Sequence, residues 1–129
     1  MTRADIKQRI AAVEESYEFF LAYAAQGVTD EASSKSGAQL RIFLDKIDDA
    51  LMGLADGFRS IIHNEDLSPR SAYDTLVEVL GNDARATQAA VQVVRSLPSV
   101  SSQMIDNFNA SIHVRALLTD LFLLDEVLG

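Results

Sequence analysis

The sequence predicts an all-α fold, an up-down-up-down antiparallel four-helix bundle formed by residues 1–129 as a single domain. Three observations carry that expectation. Apolar residues return in steps of three and four along four long segments, which keeps them on one face of a helix with 3.6 residues per turn. Residue types that start and stop helices stand at the segment ends. No stretch shows the strict apolar–polar alternation of a half-buried strand.

In the first segment Ile6, Ile10, Val13, Tyr17, Phe20 and Ala24 form the stripe. Thr2 and Asp5 stand in a capping relation, since the Thr hydroxyl can accept from a free amide of the first turn. Gly27 can supply the left-handed residue that ends the helix. After the polar stretch from Val28 to Ser36, Ser36 and Gln39 form a second capping-box pattern. From there Leu40, Leu44, Ile47, Leu51, Leu54, Phe58 and Ile61 keep the four-three rhythm without an error, and the spacing predicts one unbroken helix.

Ser68-Pro69 reads as an N-cap followed by proline at the first helical position, where its missing amide hydrogen costs nothing. Tyr73, Val77, Leu80, Ala84, Thr87, Val91 and Val94 mark the third helix. Gly81-Asn82-Asp83 interrupts it with residues that favour caps and turns, so this helix is expected to be kinked or broken near Gly81. Pro98 marks the next boundary. The last segment, from about Val100 to Leu128, opens with Met104, Ile105, Phe108 and Ile112 and ends in a richer apolar run. The four segments come out at about 24 to 29 residues, roughly 36–44 Å at 1.5 Å per residue. Short connections between helices of matched length favour antiparallel neighbours.

Composition narrows the functional classes. The chain is 48% hydrophobic and 23% charged, the balance of a globular domain. It has no cysteine, which removes disulfides, thiolate metal ligands and cysteine nucleophiles together. Acidic residues outnumber basic ones 19 to 11, for a formal charge of −8. Binding to a phosphate backbone needs the reverse balance, so neither nucleic acid nor an anionic membrane is expected as a partner. Polar residues occupy the start of the chain where a secretory signal needs an apolar run, and no unbroken apolar stretch, Leu121–Leu124 included, approaches the ~20 residues of a membrane span. A soluble, cytoplasmic protein is the expectation.

Two surfaces stand out. Toward the C-terminus Leu117, Leu118, Leu121, Phe122, Leu124, Val127 and Leu128 cover more than one helical face, whereas an outer bundle helix needs an apolar stripe of only somewhat over 100°. The surplus points either to a helix wrapped by the others or to an interface with a partner, most simply a second copy. The second surface is the small-residue row Ala50, Gly53, Gly57 and Ser60. Each interior glycine costs about 1 kcal/mol against alanine, which implies close approach of another helix or a ligand.

The remaining chemistry is sparse. Asp45, Asp49 and Asp56 fall opposite the apolar stripe and read as a solvated acidic face. Di-iron bundles need inward carboxylates and Glu-x-x-His pairs, and no Glu-x-x-His occurs. His63 and His113 lack the Lys and Gly that follow the histidine of helical phosphotransfer modules. Serines cluster at Ser33, Ser34 and Ser36 and at Ser99, Ser101 and Ser102, beside helix starts where capping accounts for them. No phosphate loop or nucleophile elbow is present, and no cofactor or metal is implied. The sequence therefore suggests a non-enzymatic association protein, an adaptor, regulator or assembly factor that forms a homodimer through its last helix. A bundle binding a small apolar ligand among Phe43, Phe58, Phe108 and Phe122 is the alternative, with histidine phosphotransfer behind it.

Overall fold

The computed structural model describes residues 1–129 and is all-helical. Six α-helices follow one another as α1 (Arg3–Ala25), α2 (Gly37–Leu51), α3 (Leu54–Asn64), α4 (Arg70–Arg95), α5 (Ser102–Ala110) and α6 (Ile112–Leu128), with a short 3-10 turn at Glu31–Ser33. No helix is long and apolar enough to cross a membrane.

The four-three stripes become the core. Ile6, Ile10, Val13 and Phe20 of α1 are buried, as are all seven stripe residues from Leu40 to Ile61 and six of the seven in α4, Tyr73 being the partly exposed one. Thr2 forms the expected capping box with Asp5: its hydroxyl accepts from the Asp5 amide at 3.1 Å, and the Asp5 carboxylate accepts from the Thr2 amide at 2.8 Å. Gly27 ends α1 at φ +67°.

Two expected rods are each two helices. The second breaks at Met52-Gly53, where Gly53 adopts φ +70°, a conformation that glycine reaches without a side-chain penalty. Arg9 of α1 holds the broken end, its guanidinium donating to the carbonyls of Asp49, Ala50 and Met52 at 3.1, 3.3 and 2.6 Å. The break escapes a periodicity reading because Leu51 and Leu54 flank it and are both buried, so the stripe keeps its phase. The last rod breaks at Ser111, whose ψ of 131° closes α5 and opens α6. This break does change the phase: Ile112, spaced to follow Phe108 into the core, points to solvent, and Val114 goes in.

The third helix is the converse case. α4 runs unbroken through Gly81-Asn82-Asp83. Gly81 is buried, and a β-carbon there would meet Arg85 of its own helix at 3.4 Å and the Ala55 β-carbon of α3 at 3.5 Å, ordinary contact distances, so nothing at this point breaks the helix. At the start of α4 the cap falls one residue later than expected, on Pro69. Ser36 precedes α2, but its side chain makes no capping bond; the turn instead packs Gly37 beneath Glu31.

Side-chain bridges fix which helix ends meet. At one end Arg3 pairs with Glu65, just past α3, and donates to the carbonyl of Leu128, while Lys7 pairs with Asp125 of α6 at 2.6 Å. At the other, the Tyr23 hydroxyl donates to the Val100 carbonyl and the Ser102 hydroxyl to the Tyr23 carbonyl, both at 2.6 Å. There too, Arg41 at the start of α2 donates to the carbonyls of Arg95 and Leu97 at 2.8 Å, at the end of α4 and just past it.

Candidate functional site

The C-terminal apolar run divides cleanly between two faces of α6. Leu117, Leu118, Leu121 and Leu124 are buried in the chain's own core, and Leu128 is partly covered. These account for part of the surplus by wrapping within the monomer. Phe122 and Val127 face solvent at 50% and 51% exposure, joined by Leu123 at 51% and Ile112 at 74%. At 100° per residue Ile112, Leu123 and Val127 fall within about 60° of one another, directly opposite Leu121. Phe122 lies about 80–140° round the helix from these three, and Ile112 about 16 Å along the axis from Leu123. α6 thus carries an apolar stripe inward and a second one outward, and nothing in the chain covers the second.

Polar groups border this face. Asp120 of α6 faces Asp83 of α4, and burial together with the neighbouring carboxylate raises its pKa to about 7. Its Oδ2 is buried and accepts no hydrogen bond. His113 Nδ1 stands 4.0 Å from Asp83 Oδ1. No local pattern announces the Asp83–Asp120 pair, because the two residues meet only through the packing of α4 on α6. Arg115 and Glu126 flank the exposed stripe near its two ends, both exposed.

The small-residue row does not form one continuous surface. Ala50 is buried on α2, Gly53 is the break itself, and Gly57 and Ser60 lie on α3, with Ser60 exposed. The close approach comes from Met1: a β-carbon on Gly57 would sit 2.5 Å from the Met1 sulfur. Beside it an open groove of about 780 Å³ runs between α1 and α2, lined by Asp5, Gln8, Arg9, Ile42, Asp45 and Lys46 among others.

The four aromatics considered for a ligand cavity are dispersed. Phe43 stacks on Phe19 with centroids 4.4 Å apart, Phe108 meets Phe20 edge-on at 5.4 Å, Phe58 is fully buried, and Phe122 lies outside. His63 receives a hydrogen bond at Nδ1 from Arg70 over 3.0 Å. A guanidinium only donates, so Nδ1 is the acceptor and the proton sits on Nε2, 3.7 Å from Asp74. The serines make structural bonds: Ser101 caps α5 through the Met104 amide at 3.1 Å, Ser99 accepts from the Glu31 amide at 3.0 Å, and Ser34 accepts from the Ser36 amide at 3.1 Å. Asp45 and Asp48 pair with Arg95 at 3.2 Å, and Asp56 with Arg59 at 2.6 Å. No group of three or more acidic or histidine side chains is arranged to hold a metal ion.

Comparison of the chain with protein families, characterised proteins and solved structures finds no match.

Proposed function

We propose that this chain is a non-enzymatic association protein that forms a homodimer through the outward face of α6, as a scaffold for adaptor, regulatory or assembly work. One observation carries the reading. Four large apolar side chains, Ile112, Phe122, Leu123 and Val127, are at least half exposed on a single helix whose opposite face is already saturated with core leucines. Scattered exposed apolar residues are ordinary on a monomer; what supports association here is their concentration on one helix, with Leu123 and Val127 one turn apart on the same side.

The fold reading that accompanies it is an up-down-up-down bundle in which the second and fourth rods are each bent at a break. The joined ends support this: α1 starts where α3 and α6 end, and finishes where α2 and α5 start and α4 ends. α6 then lies on the outside of the bundle, with its free face available along its whole length.

Sedimentation equilibrium of the wild type and of Leu123→Glu over a dilution series tests the proposal. The wild type should populate dimers toward the top of the range, and Leu123→Glu should remain a folded monomer. A wild type that stays monomeric at about 500 μM, where even a weak interface of small area should register, ends this reading.

A further inference from the structure

We infer that two copies pair through α6 in antiparallel fashion about a two-fold axis, with Arg115 of each copy against Glu126 of the other. This rests on the association reading above and adds its orientation and the residues that specify it.

The case begins with unmatched charge. Of the eleven basic residues, nine are engaged. Arg3, Lys7, Arg41, Lys46, Arg59, Arg70 and Arg95 pair with carboxylates, Arg9 donates to the α2 carbonyls, and Arg85 donates to Asn82. Arg115 and Lys35 are left without a partner in the chain. Arg115 stands on the exposed side of α6, and so does Glu126, which also makes no ion pair.

Their spacing gives the orientation. Eleven residues are three turns, so Arg115 and Glu126 share a face and lie roughly 16 Å apart along the axis, too far to meet each other. A parallel second copy would place Arg115 on Arg115 and Glu126 on Glu126, two like-charge contacts. An antiparallel copy places each arginine on a glutamate, twice over, as a two-fold interface requires. The register that does so puts the axis between Asp120 and Leu121, sets Phe122 against Thr119 of the second copy, and brings Phe122 and Leu123 between the two charge pairs, with Ile112 and Val127 beyond them. The face carries one charge of each sign, so it escapes the mutual repulsion of two chains at −8 each. Antiparallel helix dipoles add in the same direction.

A 17-residue helix is about 25 Å long, so this contact falls below the ~800 Å² per partner of a tight interface, and a dissociation constant on the order of tens of micromolar is expected. The test is sedimentation equilibrium of Arg115→Glu and Glu126→Arg, each alone and mixed one to one, with circular dichroism to confirm helicity. Each reversal creates two like-charge contacts in its own homodimer and should weaken it about tenfold. In the mixture one chain carries two acids and the other two bases at these positions, so heterodimers should form about as tightly as the wild-type dimer. Reversals without effect, in a wild type that dimerises and is made monomeric by Leu123→Glu, would overturn this pairing while leaving α6 as the interface. Mixed chains that associate no better than either alone would overturn it as well.

Discussion

The carboxyl of Asp120 faces that of Asp83 across the α4–α6 contact, and its Oδ2 is buried without a hydrogen-bond donor. Burial is the larger cause of its raised pKa and the second carboxylate the smaller, because both disfavour a second negative charge in the crevice. The pair lies at the border of the exposed stripe on the helix proposed to carry association.

A pH dependence follows, with a definite sign. The folded chain holds the Asp120 proton up to about pH 7, whereas the unfolded chain releases it near the ordinary value of 3.8. The folded state therefore binds more protons through that window. The stability contributed is fully present below pH 3.8 and is lost as pH rises through 7. Asp120→Asn removes the ionisation and keeps the shape. Urea unfolding at pH 5 and pH 8 should show the variant gaining about 1 kcal/mol on the wild type at the higher pH, a figure reduced for solvent screening. Equal differences at the two pH values would contradict the raised pKa.

Gly37 and Gly57 should respond oppositely to alanine. A β-carbon on Gly37 would overlap the backbone carbonyl oxygen of Glu31. That backbone cannot yield easily, because the Glu31 carboxylate is held by Arg41 at 2.8 and 2.9 Å and by the Val100 amide at 2.9 Å. Gly37→Ala should cost at least about 2 kcal/mol by thermal or chemical denaturation. On Gly57 the obstruction is the flexible Met1 side chain, which can swing aside. Gly57→Ala should be neutral or stabilise by up to about 1 kcal/mol, through helix propensity.

The Glu31–Arg41 pair ties the 3-10 turn, α2 and the α4–α5 connection together. Arg41 holds the Glu31 carboxyl below its ordinary pKa, so the pair contributes stability above pH 4.5 that is lost as pH falls through the depressed value. Arg41→Ala would leave Glu31 and the Arg95 and Leu97 carbonyls short of a donor. A loss of about 1–3 kcal/mol at neutral pH, shrinking in acid, is expected from denaturation curves at several pH values.

Neighbouring leucines on α6 should separate core from surface. Leu121→Ala removes a fully buried side chain and should cost about 2–5 kcal/mol. Leu123→Ala, half exposed two residues away, should stay within about 0.5 kcal/mol under dilute monomeric conditions. Denaturation of both at low protein concentration checks the contrast.

By itself the sequence determined that the chain is helical and most of the residues that enter the core, Ile112 excepted, with Tyr17, Ala24 and Tyr73 only partly buried. That is a local matter: a three-four spacing of apolar side chains selects helix over strand and fixes one inward face, and the stripe from Leu40 to Ile61 is buried throughout. The capping box at Thr2 and the glycine at 27 are equally local, since each acts within one turn of its own backbone. Tertiary structure decided where the rods break and what the chemistry-bearing residues meet. Gly53 and Gly81 are both glycines inside apolar stripes. One takes a positive φ at a break capped by Arg9, and the other stays helical within α4; the local residue type does not distinguish them. The same holds for α6. Composition revealed a surplus of apolar residues, but the turn at Ser111 rotated Ile112 outward and divided that surplus between a core and an exposed face. Pairs such as Asp83 with Asp120 or Met1 with Gly57 join residues far apart in the chain, and their energies exist only once the helices are packed.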